Sequence, residues 1–158
     1  DGGYSGLMNN QMDALALIIL LDQFPRNLFR DTAAMFSGDK RALSYANEAL
    51  RMGFDQNLAP SQQMFFYLPF EHSEQFEHHE RILPLYKEVA DEHSIMSAQG
   101  HHDTIKKFGR YPHRNEVMGR QNTPEEDEYM ENPPTWGKTK AEVEEMERKK
   151  AERESAAQ

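Results

Sequence analysis

The chain has 158 residues, enough for one domain with a real core. Its 27 acids against 18 bases give a net charge of −9, which removes the basic face a nucleic-acid binder needs, so no nucleic-acid partner is expected. There is no cysteine, which excludes disulfides, thiolate catalysis and Cys-based zinc or iron–sulfur sites.

Residues 1–12 are glycine-rich at the start and read as an extended segment. Asn9 or Asn10 can cap a first helix that runs to Leu21 or Asp22. Its apolar residues lie on every side, the mark of a central, buried helix. The apolar run Ala14 to Leu21 is far short of the roughly 20 residues a spanning helix needs, so the chain is not itself membrane-spanning. Pro25 biases Phe24 away from helical geometry, which predicts a turn there and a fresh helical turn through Phe29. Ser37 precedes a second helix over 38–52, with Leu43, Ala46, Ala49 and Leu50 on one face and Gly53 as its stop. A third helix starts after Pro60 and should kink or end at Pro69. A fourth, over 74–92, turns Phe76, Leu83, Tyr86 and Val89 inward and bends at Pro84. A fifth, over 96–108, stops at Gly109, and Pro112 opens a short turn. Thr123-Pro124-Glu125-Glu126 combines a capping box with a first-turn proline and predicts a helix over 124–131. Asn132-Pro133-Pro134 breaks it, leaving 132–137 as a Pro-rich linker. No stretch alternates with period two for long enough to be a strand. The reading is all-α, in antiparallel helix pairs with short connections.

The tail, 138–158, differs in kind. Thr139 and Glu142 form another capping box, and Glu144 with Arg148 and Glu145 with Lys149 fall at i,i+4. Only Val143 and Met146 offer apolar contact, so this charged helix either stands in solvent or lies on a partner. A polar terminal helix is mobile unless tied down, which favours contact with another chain.

Three stretches end an apolar run in a polar cluster: Leu17 to Arg30, Phe65 to Glu74 and Phe108 to Arg120. For acid–base chemistry the candidates are His72 or His113 as base and Asp22 or Glu74 as orienter. Arg26, Arg110 and Arg114 are the anion clamps, with Asn27 and Asn115 beside them, because an arginine fork suits a carboxylate or phosphate. The same residues can instead satisfy orphan groups at helix ends and lock the turns. Neither a metal nor a cofactor is expected. The seven histidines lack zinc-protease or di-iron spacing, and the pairs His78-His79 and His101-His102 point apart on a helix. Gly38-Asp39-Lys40 lacks the glycine spacing of a phosphate loop, and Ser5 is not in a nucleophile elbow.

Taken together, LALIILLDQFPRNLFR (15–30), FFYLPFEHSE (65–74), HERI (79–82) and FGRYPHRNEVMGRQNTPEE (108–126) resemble the DUF924 family of uncharacterised all-α proteins. The resemblance covers roughly 13–131 and implies a tetratricopeptide-like superhelix of antiparallel pairs. It places the family motif on Asp22, Gln23, Pro25, Arg26, Asn27, His72, Ser73, Glu74, Glu80, Arg81, His101, Gly109, Arg110, Pro112, His113, Arg114 and Asn115. It also implies an upstream aromatic-rich helix that residues 1–12 do not supply, so an apolar edge should lie bare near the N-terminus. The functional expectation is a scaffold or accessory subunit that binds protein through that edge and through the 138–158 helix. Its setting would be a larger assembly, and an organelle fits a chain that starts at Asp1 after loss of a targeting peptide. The alternative is an enzyme or small-anion binder built on the His, Arg and carboxylate cluster, with hydrolysis as its chemistry.

Overall fold

In the computed structural model, Gly6 and residues 8–156 are described. They form seven α-helices and two 3-10 turns, with no strand among the described residues. In chain order these are α1 (Gln11–Leu28), a 3-10 turn (Ala33–Phe36), α2 (Asp39–Arg51), α3 (Pro60–Glu71), α4 (Phe76–Val89), α5 (Glu92–Phe108), a second 3-10 turn (Pro112–Arg114), α6 (Pro124–Met130) and α7 (Lys140–Ala156). The all-α expectation therefore holds. Of the extended segment expected over 1–12, residues 1–5 and 7 lie outside the described residues; the rest is not extended, since Gly6 and Met8 take 3-10 geometry, Asn9 and Asn10 bend, and Gln11 and Met12 belong to α1.

From α1 to α5 each helix packs on the next, and α3 also touches α1. The core they enclose joins Ala14, Leu15 and Ile18 of α1 to Phe66, Tyr67 and Phe70 of α3 and to Ile82, Leu83 and Tyr86 of α4. From α2 come Ala46 and Ala49, small enough to let the neighbouring backbones approach. Complete burial of Phe66 and Phe70 contributes about 2 to 3 kcal/mol each.

Two prolines do less than the sequence suggests. Asn10 caps α1 by accepting from the Met12 and Asp13 amides, as expected, but the helix runs past Pro25 to Leu28. Pro25 has no N–H to offer the Leu21 carbonyl. Gly38 lies directly against that carbonyl, where a Cβ would overlap the oxygen. The break is thus covered by the start of α2 rather than ending α1. Likewise α3 carries Pro69 and continues to Glu71. The fourth and fifth helices divide earlier than expected, because Asp91 caps α5 by accepting from the Ser94 amide. Gly109, at φ 68, ends α5 where the sequence places the stop.

α1 is not the fully buried helix its composition implies. Ala14, Leu17 and Ile18 are enclosed, while Leu20, Phe24 and Leu28 are 45%, 51% and 69% exposed. They recur every fourth residue and so form one ridge.

Trp136, expected in a passive linker, is an anchor. It stacks on His101 at 3.6 Å between centroids and lies across Gly100 of α5, where a Cβ would meet the indole at 3.0 Å. A mid-helix glycine costs about 1 kcal/mol, and here it makes room for the ring. Arg30, two residues past the end of α1, donates to Glu142 at 2.8 Å and to the Gly137 carbonyl at 3.4 Å. The base of α7 is thereby tied to the domain. Along α7, Glu145 pairs with Lys149 at 2.7 Å as expected, whereas Glu144 lies nearest Lys140.

Candidate functional site

The C-terminal half of α1, the start of α2, the end of α3 and the 112–114 turn come together at one end of the helical stack. α1 brings Asp22 and Arg26, which lie one helical turn apart on the same face. α2 brings Asp39, next to the close contact at Gly38. His72 sits just past the last residue of α3. The turn brings Arg114.

His72 Nδ1 lies 2.7 Å from Oδ1 of the buried Asp22. An ionised carboxylate can only accept, so the imidazole carries its proton on Nδ1 and its lone pair on Nε2. Burial works to raise the Asp22 pKa, but His72 and then Arg26 outweigh it and hold it at about 2. Burial lowers the His72 pKa, aided by Arg26 and opposed by Asp22, so the ring is neutral near pH 7. Arg26 donates to Asp39 at 2.8 Å and lies 3.7 Å from Asp22. Arg114 comes within 3.9 Å of the same Asp39. The Asp39 pKa is raised, because burial exceeds the help of Arg26, His72 and Arg114. Phe36 floors the cluster: the guanidinium carbons of Arg26 and Arg114 stand 5.5 and 4.7 Å from its ring centre.

Four of the sequence candidates, Asp22, Arg26, His72 and Arg114, thus share one site. The others do not join it as clamps or bases. Glu74 is not an orienter for either histidine. It accepts two hydrogen bonds from Arg120, at 2.7 and 2.9 Å, and one from the Tyr111 amide at 2.9 Å. Arg110 is closed against the buried Glu126 at 2.6 and 2.7 Å, and Asn115 bonds to Asn122 and Glu126. Glu126 also completes the capping box at the Thr123 amide. These contacts lock the loop between α5 and α6. Asn27 is exposed and donates to the Gln23 carbonyl. His113 lies beside Trp136 and Tyr111, with an exposed edge and no carboxylate partner among the described residues.

Asp39 and Phe36 are the site residues that sequence reasoning misses. Asp39 stands in Gly38-Asp39-Lys40, weighed only as a failed phosphate loop. The available signal is that Gly38 begins a helix whose first residue is a carboxylate.

A second buried pair lies deeper in the stack. Glu71 meets His101 Nδ1 at 3.0 Å beneath Trp136, and a groove of about 340 Å³ between α3 and α5 reaches Glu71 and Tyr86. His79 is enclosed, bonded to the Ser73 carbonyl, and lowered by burial to about 4. His102 lies between Glu80 and Asp103. Among the described residues no group of three His, Asp or Glu side chains is arranged to hold a metal ion.

Chemically, an Asp-oriented neutral imidazole can accept a proton at Nε2, and two guanidiniums can hold an oxyanion next to it. No helix among the described residues is long and apolar enough to cross a membrane.

Comparison with known proteins adds the family. The family described as "Bacterial protein of unknown function (DUF924)" matches residues 1–134, which includes every residue of the polar cluster and stops short of Trp136. Among solved structures, the chain is similar to a protein of unknown function, ATU0120 from Agrobacterium tumefaciens, at 41% identity and a TM-score of 0.77. The match covers 81% of this chain and 72% of that one. No curated protein gives a match. With most of its length matched and its all-α fold shared, the chain belongs to the DUF924 family.

Proposed function

We propose that this protein is a helical scaffold or accessory subunit that binds other protein chains within a larger assembly. The observation that carries the reading is the ridge of Leu20, Phe24 and Leu28 on α1, extended by Phe29 at 48% exposure. Large apolar side chains gathered on one exposed face mark interaction surfaces more often than free solvent-facing surface. Their every-fourth-residue spacing suits an amphipathic helix of a partner, laid along α1 with its own apolar face inward. A tetratricopeptide-like superhelix, the finer architecture implied by the family resemblance, would present such a face for stacking. α7 supplies a second surface. It is tied at its base and carries charges of both signs along its length, which suits a polar contact at the rim of an interface.

The test is the native mass of the endogenous protein with its co-migrating chains identified, repeated with Leu20, Phe24 and Leu28 all changed to Ser. The expected result is a stable complex for the parent chain and its loss for the variant, whose circular dichroism stays helical. Truncation at Thr135 should weaken the association without unfolding the domain. A parent chain that runs alone, or a triple variant that stays in the complex, overturns the reading.

A further inference from the structure

Arg114 is a buried cation that the described residues do not satisfy. Only 6% of its surface is exposed. A guanidinium offers five N–H donors, yet its Nε is buried without an acceptor. Its approach to Asp39, 3.9 Å, is too long for a hydrogen bond. Two aromatic rings pack near the guanidinium, whose carbon stands 4.7 Å from the centre of Phe36 and 4.3 Å from that of Tyr111. The terminal N–H groups of Arg114 make no hydrogen bond to any described residue. Arg26 stands over the same Phe36 ring, and its Nε is also without an acceptor. Buried donors left unmade are costly, and more so when they carry charge. Arg110 on Glu126 and Arg120 on Glu74 differ in that each forms two parallel bonds to one carboxylate, although the Arg120 Nε is also buried without an acceptor.

We propose that the terminal edge of Arg114, with Arg26 beside it, binds a small free carboxylate. The planar fork of an arginine matches the two oxygens of such a group in one plane. Charge favours a monoanion over a dianionic phosphate, since Asp22 and Asp39 already lie in the cluster. The bound carboxylate would sit near His72, the neutral imidazole fixed by Asp22. This site uses none of the α1 ridge side chains, so it stands whether or not the scaffold reading does.

The test is an NMR titration of the full chain, with the arginine side-chain nitrogens labelled. Sodium acetate is the probe, sodium chloride at equal ionic strength is the control, and inorganic phosphate is a third arm. Saturable shifts of the Arg114 and Arg26 signals with acetate, absent with chloride, are expected. Arg114→Lys keeps the charge and loses the fork, and should weaken acetate binding about tenfold or more. No saturable response in the parent chain overturns the site, as does an undiminished response in Arg114→Lys. Phosphate binding as tightly as acetate, or more tightly, overturns the assignment to a carboxylate. The parent titration decides the matter even if the lysine variant fails to fold.

Discussion

Arg110 and Arg114 come from the same short motif and end in opposite situations. Arg110 faces a carboxylate squarely, and the Glu126 that receives it also closes a helix cap. Arg114 is more deeply buried, packs near two aromatic rings and shares a distant Asp39 with Arg26. Arg120 and Glu74 repeat the closed arrangement. The difference teaches that a run of polar motif residues need not be one site. Part of it bolts a loop to the helices, and part converges with residues from other helices at an incompletely satisfied cluster.

The comparison breaks most sharply at Gly38. That glycine lets α2 touch the Leu21 carbonyl, and so brings Asp39 to Arg26. Gly38→Ala should force the two backbones apart and cost about 3 kcal/mol in urea unfolding, well beyond an ordinary surface change. An alanine variant as stable as the parent would mean that α2 does not approach so closely.

Acid unfolding tests the open cluster next. The folded-state pKa of Asp22, about 2, lies below its ordinary 3.8. Its contribution is fully present above pH 3.8 and is lost as the pH falls from there through 2. The size is about 2 kcal/mol. Asp22→Asn should flatten that part of the acid limb. His79 acts at higher pH, since its folded value of about 4 lies below the ordinary 6.5. Its share is present above pH 6.5 and is lost as the pH falls through 4, so this earlier decline should survive in the Asp22→Asn variant. If stability between pH 4 and 2 falls equally in parent and variant, the Asp22–His72 pair is not the source.

The closed end should yield the smallest change. Glu74→Gln keeps the Tyr111 contact and removes the charge facing Arg120, whose side chain is 21% exposed. A loss of about 1 kcal/mol is expected after solvent screening. The same variant should shift the Arg114 side-chain signals slightly, because the Glu74 charge reaches Arg114, but leave their saturable response to acetate in place.

Much of the fold was legible because local rules govern it. The cap at Asn10, the stop at Gly109 and the capping box at Thr123 depend on residues next to one another. Pro25 misleads because α1 continues past it where the start of α2 packs against the Leu21 carbonyl, a contact that local sequence does not announce. α1 misleads because composition reports which residues are apolar, not which of them find neighbours. The site was legible as a set of residue types, and Asp22, Arg26, His72 and Arg114 do converge. The partition between open and closed arginines was not, since Glu126 reads as part of a capping box and Asp39 as part of a failed phosphate loop, each distant in sequence from the arginine it meets.

The anchor at Trp136 has a further consequence. It is the chain's single tryptophan, and it lies on an imidazole, just past the end of the family match. Indole emission responds to the groups stacked on it and to contact with water. Every photon of tryptophan fluorescence from this protein therefore reports on one place, the point where the tail meets the domain. Docking or release of α7 can be followed in the unlabelled chain, and so can any partner that competes for that seat.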